Sequence, residues 1–304
     1  MWRVVFFLFF IASLYAEENL FKALPYSVEA DAKKSALGRL LFHDPLLSKD
    51  NSVSCATCHP LVNYGVDGLQ KSFGVNGAVG ERNTPTVWNA AYNFSQFWDG
   101  RAKDLEEQAL VPIVNPLEMN ATLSSVLSKL KKNKEYVKRF EEIYDDGVTE
   151  TNLANAIAEF EKTLITPDSK FDRYLNGDKT VLDQQEKEGL RLFKSKGCIA
   201  CHNGVNIGGT LYQKAGVFEK LPSGSTDLGR YNVTKKVFDK YYFKVPSLRN
   251  VEKTAPYFHD GSAMTLKEAV ETMVKSQLGI QMEDEEIAKI IAFLRTLTGK
   301  IDEY

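Results

Sequence analysis

The sequence has little excess charge, few metal-binding side chains and no long apolar run in its interior. Its 38 basic and 40 acidic residues give a formal net charge of -2, which argues against a nucleic-acid-binding surface. Only four cysteines and four histidines are available as ligands of a metal or a prosthetic group. Strand-like patterns are few and short, so the fold is predicted to be mainly α. The 304 residues are enough for two domains.

The N-terminus carries one strongly apolar segment. Arg3 precedes an apolar run over residues 4–14, and a small residue, Ala16, stands before two glutamates. This pattern predicts a signal peptide over residues 1–16. The run is shorter than the roughly 20 residues that span a bilayer, so no membrane span is expected in the mature protein. We therefore expect export to the periplasm.

Two stretches, residues 55–59 and 198–202, share the pattern Cys-x-x-Cys-His. Two cysteines at this spacing can each form a thioether with one vinyl group of a haem, and the next residue then lies where its imidazole can bind the iron. We predict two covalently attached c-type haems, one held by Cys55, Cys58 and His59 and the other by Cys198, Cys201 and His202.

Cys-x-x-Cys pairs also occur in zinc sites, redox disulfides and structural bridges. A zinc ribbon needs its two pairs roughly 15 to 20 residues apart, whereas these pairs lie in opposite halves of the chain. A thioredoxin-like pair needs no adjoining histidine. Two structural disulfides would leave both histidines unexplained. Haem attachment is therefore favoured.

The two halves share a second pattern further along the chain. Residues 97–102, Phe-Trp-Asp-Gly-Arg-Ala, match residues 258–263, Phe-His-Asp-Gly-Ser-Ala, and neighbouring positions match without gaps. We predict two class I cytochrome c-like domains related by internal duplication. The first covers residues 17–166 and the second residues 167–304, with the extreme C-terminus packing back on the first domain.

Methionines are candidates for the second axial ligands. Residues 265–268 form a capping box, and the helix that it begins carries Met273 on its apolar face. Such a methionine usually packs in a core, but class I cytochromes place their ligand methionine downstream of the histidine in the same domain, as Met273 is of His202. The first copy has Pro112 at the matching position, and spacing alone does not exclude Met119 there.

The first copy carries polar side chains that could act on a small oxidant. Gln108 and Glu118 flank a segment that Pro112 and Pro116 are expected to break. A carboxylate beside an open iron can take a proton from peroxide and return it to the distal oxygen. An amide can hydrogen-bond the oxygen on which charge develops. The residues alone favour ordinary surface side chains over these roles.

Together these features resemble the bacterial di-haem cytochrome c peroxidases over nearly the whole mature chain. The similarity is carried by the doubled Cys-x-x-Cys-His and by residues 83–86, 97–101, 105–108 and 115–119. It implies an oxidoreductase that reduces hydrogen peroxide to water with electrons from a small monohaem cytochrome c or a cupredoxin. It also implies a low-potential peroxidatic haem on His59 and a high-potential haem on His202 and Met273.

The resemblance implies further roles. Glu118 and Gln108 line the peroxide pocket, while Met119 is not an iron ligand. Trp98 lies between the haems on the electron route. Family members also bind one calcium ion at the domain junction through oxygen ligands, which suit calcium. The matching positions are the side chain of Asn83 and the carbonyls of Thr254 and Pro256. Relatives often form homodimers.

One departure concerns the loop after the first motif. Many relatives carry there a histidine that ligates the resting peroxidatic iron and leaves on reduction, but residues 73–76, Phe-Gly-Val-Asn, contain none. The remaining histidines are His43 and His259. We therefore expect that no histidine blocks the haem on His59 in the oxidised protein.

Two other functions remain open. A neighbouring family branch uses a similar di-haem unit to oxidise tyrosine or tryptophan side chains of a partner protein, but it has a tyrosine where Met273 stands. A non-catalytic di-haem electron carrier would make Glu118 and Gln108 incidental.

Overall fold

The computed structural model describes residues 20–221 and 225–301, so the predicted signal peptide lies outside the described residues. The described chain is mainly helical, as predicted. Its α-helices are α1 (Ala32–His43), α2 (Cys55–Cys58), α3 (Leu105–Val114), α4 (Leu123–Lys132), α5 (Lys134–Glu141), α6 (Glu150–Thr163), α7 (Lys170–Leu175), α8 (Gln184–Ser195), α9 (Tyr231–Thr234), α10 (Leu266–Thr272) and α11 (Asp284–Arg295). A π-helical segment, Met273–Leu278, follows α10 directly. Two short strands, β1 (Tyr212–Lys214) and β2 (Tyr242–Lys244), pair antiparallel. Within the described ranges no helix has the length and apolar character needed to cross a membrane.

Each half contains one close crossing of two helices. α1 packs on α6, and α8 packs on α11. A Cβ atom on Gly38 would lie 1.9 Å from the carbonyl oxygen of Ala156, and one on Gly189 would lie 1.9 Å from that of Lys289. Only glycine allows two backbones to approach this closely. Since α1 and α8 each precede a Cys-x-x-Cys-His motif, the two crossings fix the chain just upstream of both motifs.

The segments that carry the sequence repeat also have similar local backbones. Asn89 and Asn250 are both left-handed, with φ of 61° and 62°, and Phe97 and Phe258 have φ of 67° and 71°. An antiparallel bridge joins residues 96 and 102 in the first half and residues 257 and 263 in the second. These matches agree with the expected duplication, which itself stays a prediction.

Buried hydrogen bonds centred on Thr166 join the two halves. The Nδ2 groups of Asn89 and Asn250 donate to Oγ1 of Thr166 at 2.8 and 2.9 Å. The backbone N–H of Gly299 donates to Oδ1 of Asn250 at 3.0 Å. Further along, Ile301 packs against an apolar cluster of the first half that contains Trp88. The end of the described chain is thereby held on both halves.

The structure corrects one local expectation, that Pro112 breaks the helix. Pro112 lies inside α3, which continues to Val114. The ring removes the hydrogen bond that an N–H at this position would make to the carbonyl of Gln108, but the N–H of Asn115 still donates to the carbonyl of Val111 at 3.1 Å. Pro116 acts as expected, because Asn115 before it has an extended backbone that ends the helix.

Candidate functional site: two cavities on either side of Trp98

A cavity of about 580 Å³ lies beside the first Cys-x-x-Cys-His motif. Its volume is in the range of cofactor and ligand pockets, roughly 300–1,000 Å³. Cys55 and Cys58 lie one turn apart on α2 and both line the cavity. Neither is in a disulfide; the same holds for Cys198 and Cys201, so all four thiols remain available for covalent attachment.

The ring of His59 is oriented by a backbone carbonyl. Its Nδ1 lies 3.0 Å from the carbonyl oxygen of Gly65. Since a carbonyl only accepts, Nδ1 carries the proton and Nε2 keeps its lone pair for a metal. Burial also lowers the pKa of His59, which favours the neutral imidazole that binds iron. This geometry fits an axial haem ligand.

Glu118 and Gln108 both line the first cavity. Nδ2 of Asn115 donates to Oε1 of Glu118 at 2.6 Å. Burial raises the pKa of Glu118, against the opposing effects of the Arg101 charge and of the Asn115 hydrogen bond. A half-buried carboxyl with a raised pKa is suited to exchange a proton with a ligand in the cavity. Met119, the alternative methionine, also lines this cavity, and it is 4% exposed and packs in the apolar core of the first half.

The loop over residues 73–79 packs against the backbone of Glu118. The N–H of Val75 donates to the carbonyl of Glu118 at 2.8 Å, and Val75 is buried. Among the described residues, His59 is the one histidine in the wall of this cavity. His43 lies on α1 with Nδ1 at 2.9 Å from the carbonyl of Arg39, and His259 lines a different cavity.

A second, smaller cavity of about 270 Å³ is lined by the other motif and by Met273. Desolvation of the half-buried His202 lowers its pKa to about 4, and backbone groups of Ile207 and Pro246 lie near its ring. None of the described residues meets its Nδ1 in good hydrogen-bond geometry. The capping box at the start of α10 is confirmed, but the α-helix ends at Thr272 and Met273 begins the π-helical segment. Such segments often mark functional sites.

One wall separates the two cavities. The residues that line both cavities are Asn83, Thr84, Pro85, Thr86, Phe97 and Trp98. Nε1 of Trp98 donates to the carbonyl of Asn83 at 2.9 Å, which fixes the indole in this wall. The indole also makes an edge contact with the ring of His259, with the ring centroids 6.5 Å apart. An aromatic side chain therefore spans the space between the two sites.

Asn83, Thr254 and Pro256, the positions expected to bind calcium, all line the second cavity. Nδ2 of Asn83 donates to the carbonyls of Leu69 and Gln70, so the amide has Oδ1 left for a metal. Among the described residues, no hydrogen bond is accepted by the carbonyl of Thr254 or of Pro256. Within the described ranges none of these three oxygens accepts a hydrogen bond, so they form a partial ligand set for a hard cation.

Glu161 is a buried acid of the first cavity that the sequence analysis missed. It is 4% exposed and lines the cavity, and burial raises its pKa to about 8. Within the described chain its carboxyl makes no hydrogen bond or ion pair. Its position on α6 could have indicated burial, because Leu153, Ile157 and Glu161 follow one another at helical spacing on the buried face.

Replacing Glu161 by glutamine is expected to stabilise the protein increasingly as the pH rises. A carboxyl whose pKa is raised on folding contributes its full stability below its ordinary pKa and loses it as the pH rises to the folded value, here about 8. The wild type should thus lose about 1.4 kcal/mol per pH unit in this range relative to E161Q. The free energy of unfolding, measured by denaturant titration at pH 6 and pH 9, tests this.

Glu159, on the same helix, provides a control whose pKa is shifted in the opposite direction. Burial raises its pKa, but the hydrogen bonds from Lys162 and from the Asp31 N–H outweigh that effect and the pKa is lowered. E159Q should therefore destabilise the protein at neutral pH. Equal unfolding free energies of E161Q and wild type at both pH values would contradict the prediction for Glu161.

Comparison with known families assigns both halves. The family model described as "Di-haem cytochrome c peroxidase" matches residues 32–180, and the model "Cytochrome c" matches residues 186–298. The chain is 48% identical over 270 residues to cytochrome c551 peroxidase of Nitrosomonas europaea, which covers 88% of this chain and 81% of that protein. It is 46% identical over 285 residues to cytochrome c peroxidase Ccp of Escherichia coli K12, covering 92% of this chain and 61% of that protein.

More distant similarity extends to other di-haem proteins. The methylamine utilization protein MauG of Methylorubrum extorquens is 35% identical over 295 residues, which cover 92% of this chain and 81% of that protein. The crystal structure of a MauG-like protein associated with microbial copper homeostasis has a TM-score of 0.80 and 26% identity, covering 92% of this chain and 93% of that one. The di-haem peroxidase BthA of Burkholderia thailandensis has the same fold, with a TM-score of 0.74 at 22% identity over 89% of this chain and 87% of that one.

Proposed function

Since this chain belongs to the di-haem cytochrome c peroxidase family and carries two haem c groups, we propose that it reduces hydrogen peroxide to water at the His59 site. Electrons would come from a small monohaem cytochrome c or a cupredoxin and enter at the His202 site. The observation that carries the proposal is the half-buried carboxyl of Glu118 in the cavity beside His59. The N-terminal sequence pattern supports a periplasmic location.

The residues of both cavities fit covalently attached haem. Each cavity has two unpaired cysteines and a half-buried histidine that desolvation keeps neutral, and in the first the histidine keeps its Nε2 lone pair for iron. Met273 is the candidate second ligand on the His202 side. When bound, the iron supplies the one-electron steps that peroxide reduction needs.

At the His59 site, side chains of this protein transfer the proton and stabilise the developing charge. The carboxylate of Glu118 accepts a proton from peroxide in the cavity and returns it to the oxygen that leaves as water. The amide of Gln108 donates a hydrogen bond to the oxygen on which charge develops. Asn115 holds Oε1 of Glu118 through its Nδ2, which fixes the carboxylate as the proton moves.

Trp98 is the proposed route for electrons between the two sites. It lines both cavities, and its indole is held by the carbonyl of Asn83. Calcium is proposed to bind Oδ1 of Asn83 with the carbonyls of Thr254 and Pro256. An ion there would stiffen the wall that contains Trp98, because Asn83 belongs to both the ion site and the wall.

The as-isolated, oxidised protein is expected to turn over peroxide without prior reduction. The support for this is the buried Val75 in the loop where many relatives carry a ligand histidine, with its N–H held by the carbonyl of Glu118. Stopped-flow turnover with hydrogen peroxide and a reduced monohaem cytochrome c measures this directly, with and without pre-reduction. Similar rates in both states are expected.

Two results would count against this proposal in different ways. Turnover only after pre-reduction would mean that another residue occupies the His59 site in the oxidised protein. No turnover in either state, with both haems present, would favour a di-haem electron carrier instead.

Oxidation of protein side chains is the less favoured function. Members of that branch carry a tyrosine where this chain has Met273. The relatives that are 45–48% identical are peroxidases, whereas MauG of Methylorubrum extorquens is 35% identical.

A further inference from the structure

Lys244 is a buried cation in the wall of the second cavity. It is 8% exposed and lies at the end of β2. Burial alone lowers its pKa to about 8, with no acidic group near enough to oppose the effect. Among the described residues its ammonium group has no hydrogen bond and no ion pair. A buried amine without a partner is costly, so an anionic group at this place would stabilise it.

The charges that line the two cavities are different. In the described chain no aspartate or glutamate lines the second cavity, which has Lys214 and Lys244 as its lysines. Lys214 is exposed, whereas Lys244 is buried. The first cavity is lined by the carboxyls of Glu81, Asp99, Glu118 and Glu161 and also by Arg82 and Arg101, which both pair with Asp99. The second cavity thus offers a buried cation that no carboxylate of its described lining neutralises.

The backbone holds Lys244 next to the wall between the sites. Its N–H donates to the carbonyl of Trp98 at 2.7 Å. In the β1–β2 pair Lys244 lies opposite Tyr212. The preceding residue, Phe243, stacks on His259 with the ring centroids 4.2 Å apart. These contacts fix the backbone of Lys244 beside the wall, and the residue lines the second cavity.

We propose that Lys244 binds a propionate of the haem held by His202 and, through its charge, raises the reduction potential of that haem. A fixed positive charge in a site of low dielectric stabilises the added electron, and the effect falls with distance. The effect is independent of the Met273 ligand, because it acts on the edge of the haem and not on the iron. The inference deepens the proposed function and rests on its assignment of the second cavity to a haem.

Spectroelectrochemical titration of the holoprotein tests this with three variants. K244Q should shift the midpoint potential of the His202 haem to lower values and leave that of the His59 haem nearly unchanged. K244R keeps the charge and should largely restore the potential. K214Q, which removes the exposed lysine of the same cavity, should leave both potentials unchanged. Pyridine haemochrome analysis should show two haems per chain in each variant.

An unchanged potential in a K244Q protein that holds both haems would overturn the proposal. If K244Q fails to incorporate the second haem, infrared difference spectra upon reduction of wild type and K244R provide the test. If the carboxylate band of the propionate differs between wild type and K244R, the ion pair between residue 244 and the propionate is supported. An identical band in both proteins contradicts it. Peroxide turnover by wild type with a strong chemical reductant tests the proposed function separately, because it does not depend on the potential of the His202 haem.

Discussion

E118Q is expected to lower peroxide turnover by a factor of about 10² to 10⁴, the usual contribution of general acid–base catalysis. The amide cannot accept the proton of peroxide, yet its oxygen can still accept the hydrogen bond that Asn115 donates to Oε1 at 2.6 Å. The rate at which a reduced donor cytochrome reduces the His202 haem should not change. Single-turnover stopped-flow measurements separate these two steps.

The pH profile gives an independent test of the same role. Burial raises the pKa of Glu118 above its ordinary value. Turnover requires the carboxylate, so the wild-type rate should rise with pH through this raised pKa. The rising limb should disappear in E118Q.

Glu81 offers the matched control. Its side chain lines the same cavity but is exposed, so E81Q removes an equal charge without removing the proposed proton acceptor. Both variants should retain two haems. If E118Q keeps wild-type turnover and the same pH profile, Glu118 is not the acid–base group, and the electron-carrier interpretation gains support.

The sequence was sufficient for the family and for the mainly helical fold, because covalent haem attachment depends on short-range spacing. Two cysteines and a histidine within five residues identify the chemistry without any tertiary information. The capping box at 265–268 was read in the same way, since all of its partners lie within one turn. Such local motifs can be recognised in the sequence because all of their residues interact within a few positions of one another.

Glu161 and Lys244 could not be predicted to the same degree, because their importance comes from burial. Glutamate and lysine are usually exposed. In this fold one is buried where α6 faces the first cavity, and the other where β2 contacts the carbonyl of Trp98. The shared wall around Trp98 also depends on segments far apart in the chain. Site roles in this wall, and the domain boundary at residue 166, stay predictions.

The position of Met273 shows a third kind of limit. Helical periodicity placed it on one face with Leu266 and Ala269, and all three residues line the second cavity. The pattern did not indicate that α10 ends at Thr272. The N–H of Met273 still donates to the carbonyl of Ala269, but a wider π-helical turn runs from Met273 to Leu278, so the residues after Met273 do not follow the 3.6-residue spacing. A local break of this kind leaves no clear trace in the sequence pattern.

Replacing Met273 by histidine is expected to lower the reduction potential of the His202 haem by a few tenths of a volt. Axial ligands set haem potentials over roughly 0.8 V, and a thioether favours the reduced iron more than an imidazole does. A small cytochrome donor could then no longer reduce this haem efficiently, so steady-state turnover should fall strongly. Spectroelectrochemical titration of both haems measures the shift directly.

Met264 is the control for this change, because it lies in the same half of the chain and is 58% exposed. M264H should leave both potentials and turnover at wild-type values. M273H should also lose the methionine-to-iron absorption band, which reports the ligand independently of activity. An unchanged potential and an unchanged band in M273H would assign the sixth position to another residue. The π-helical start at Met273 would then need a packing explanation, since Met273 lines this cavity in either case.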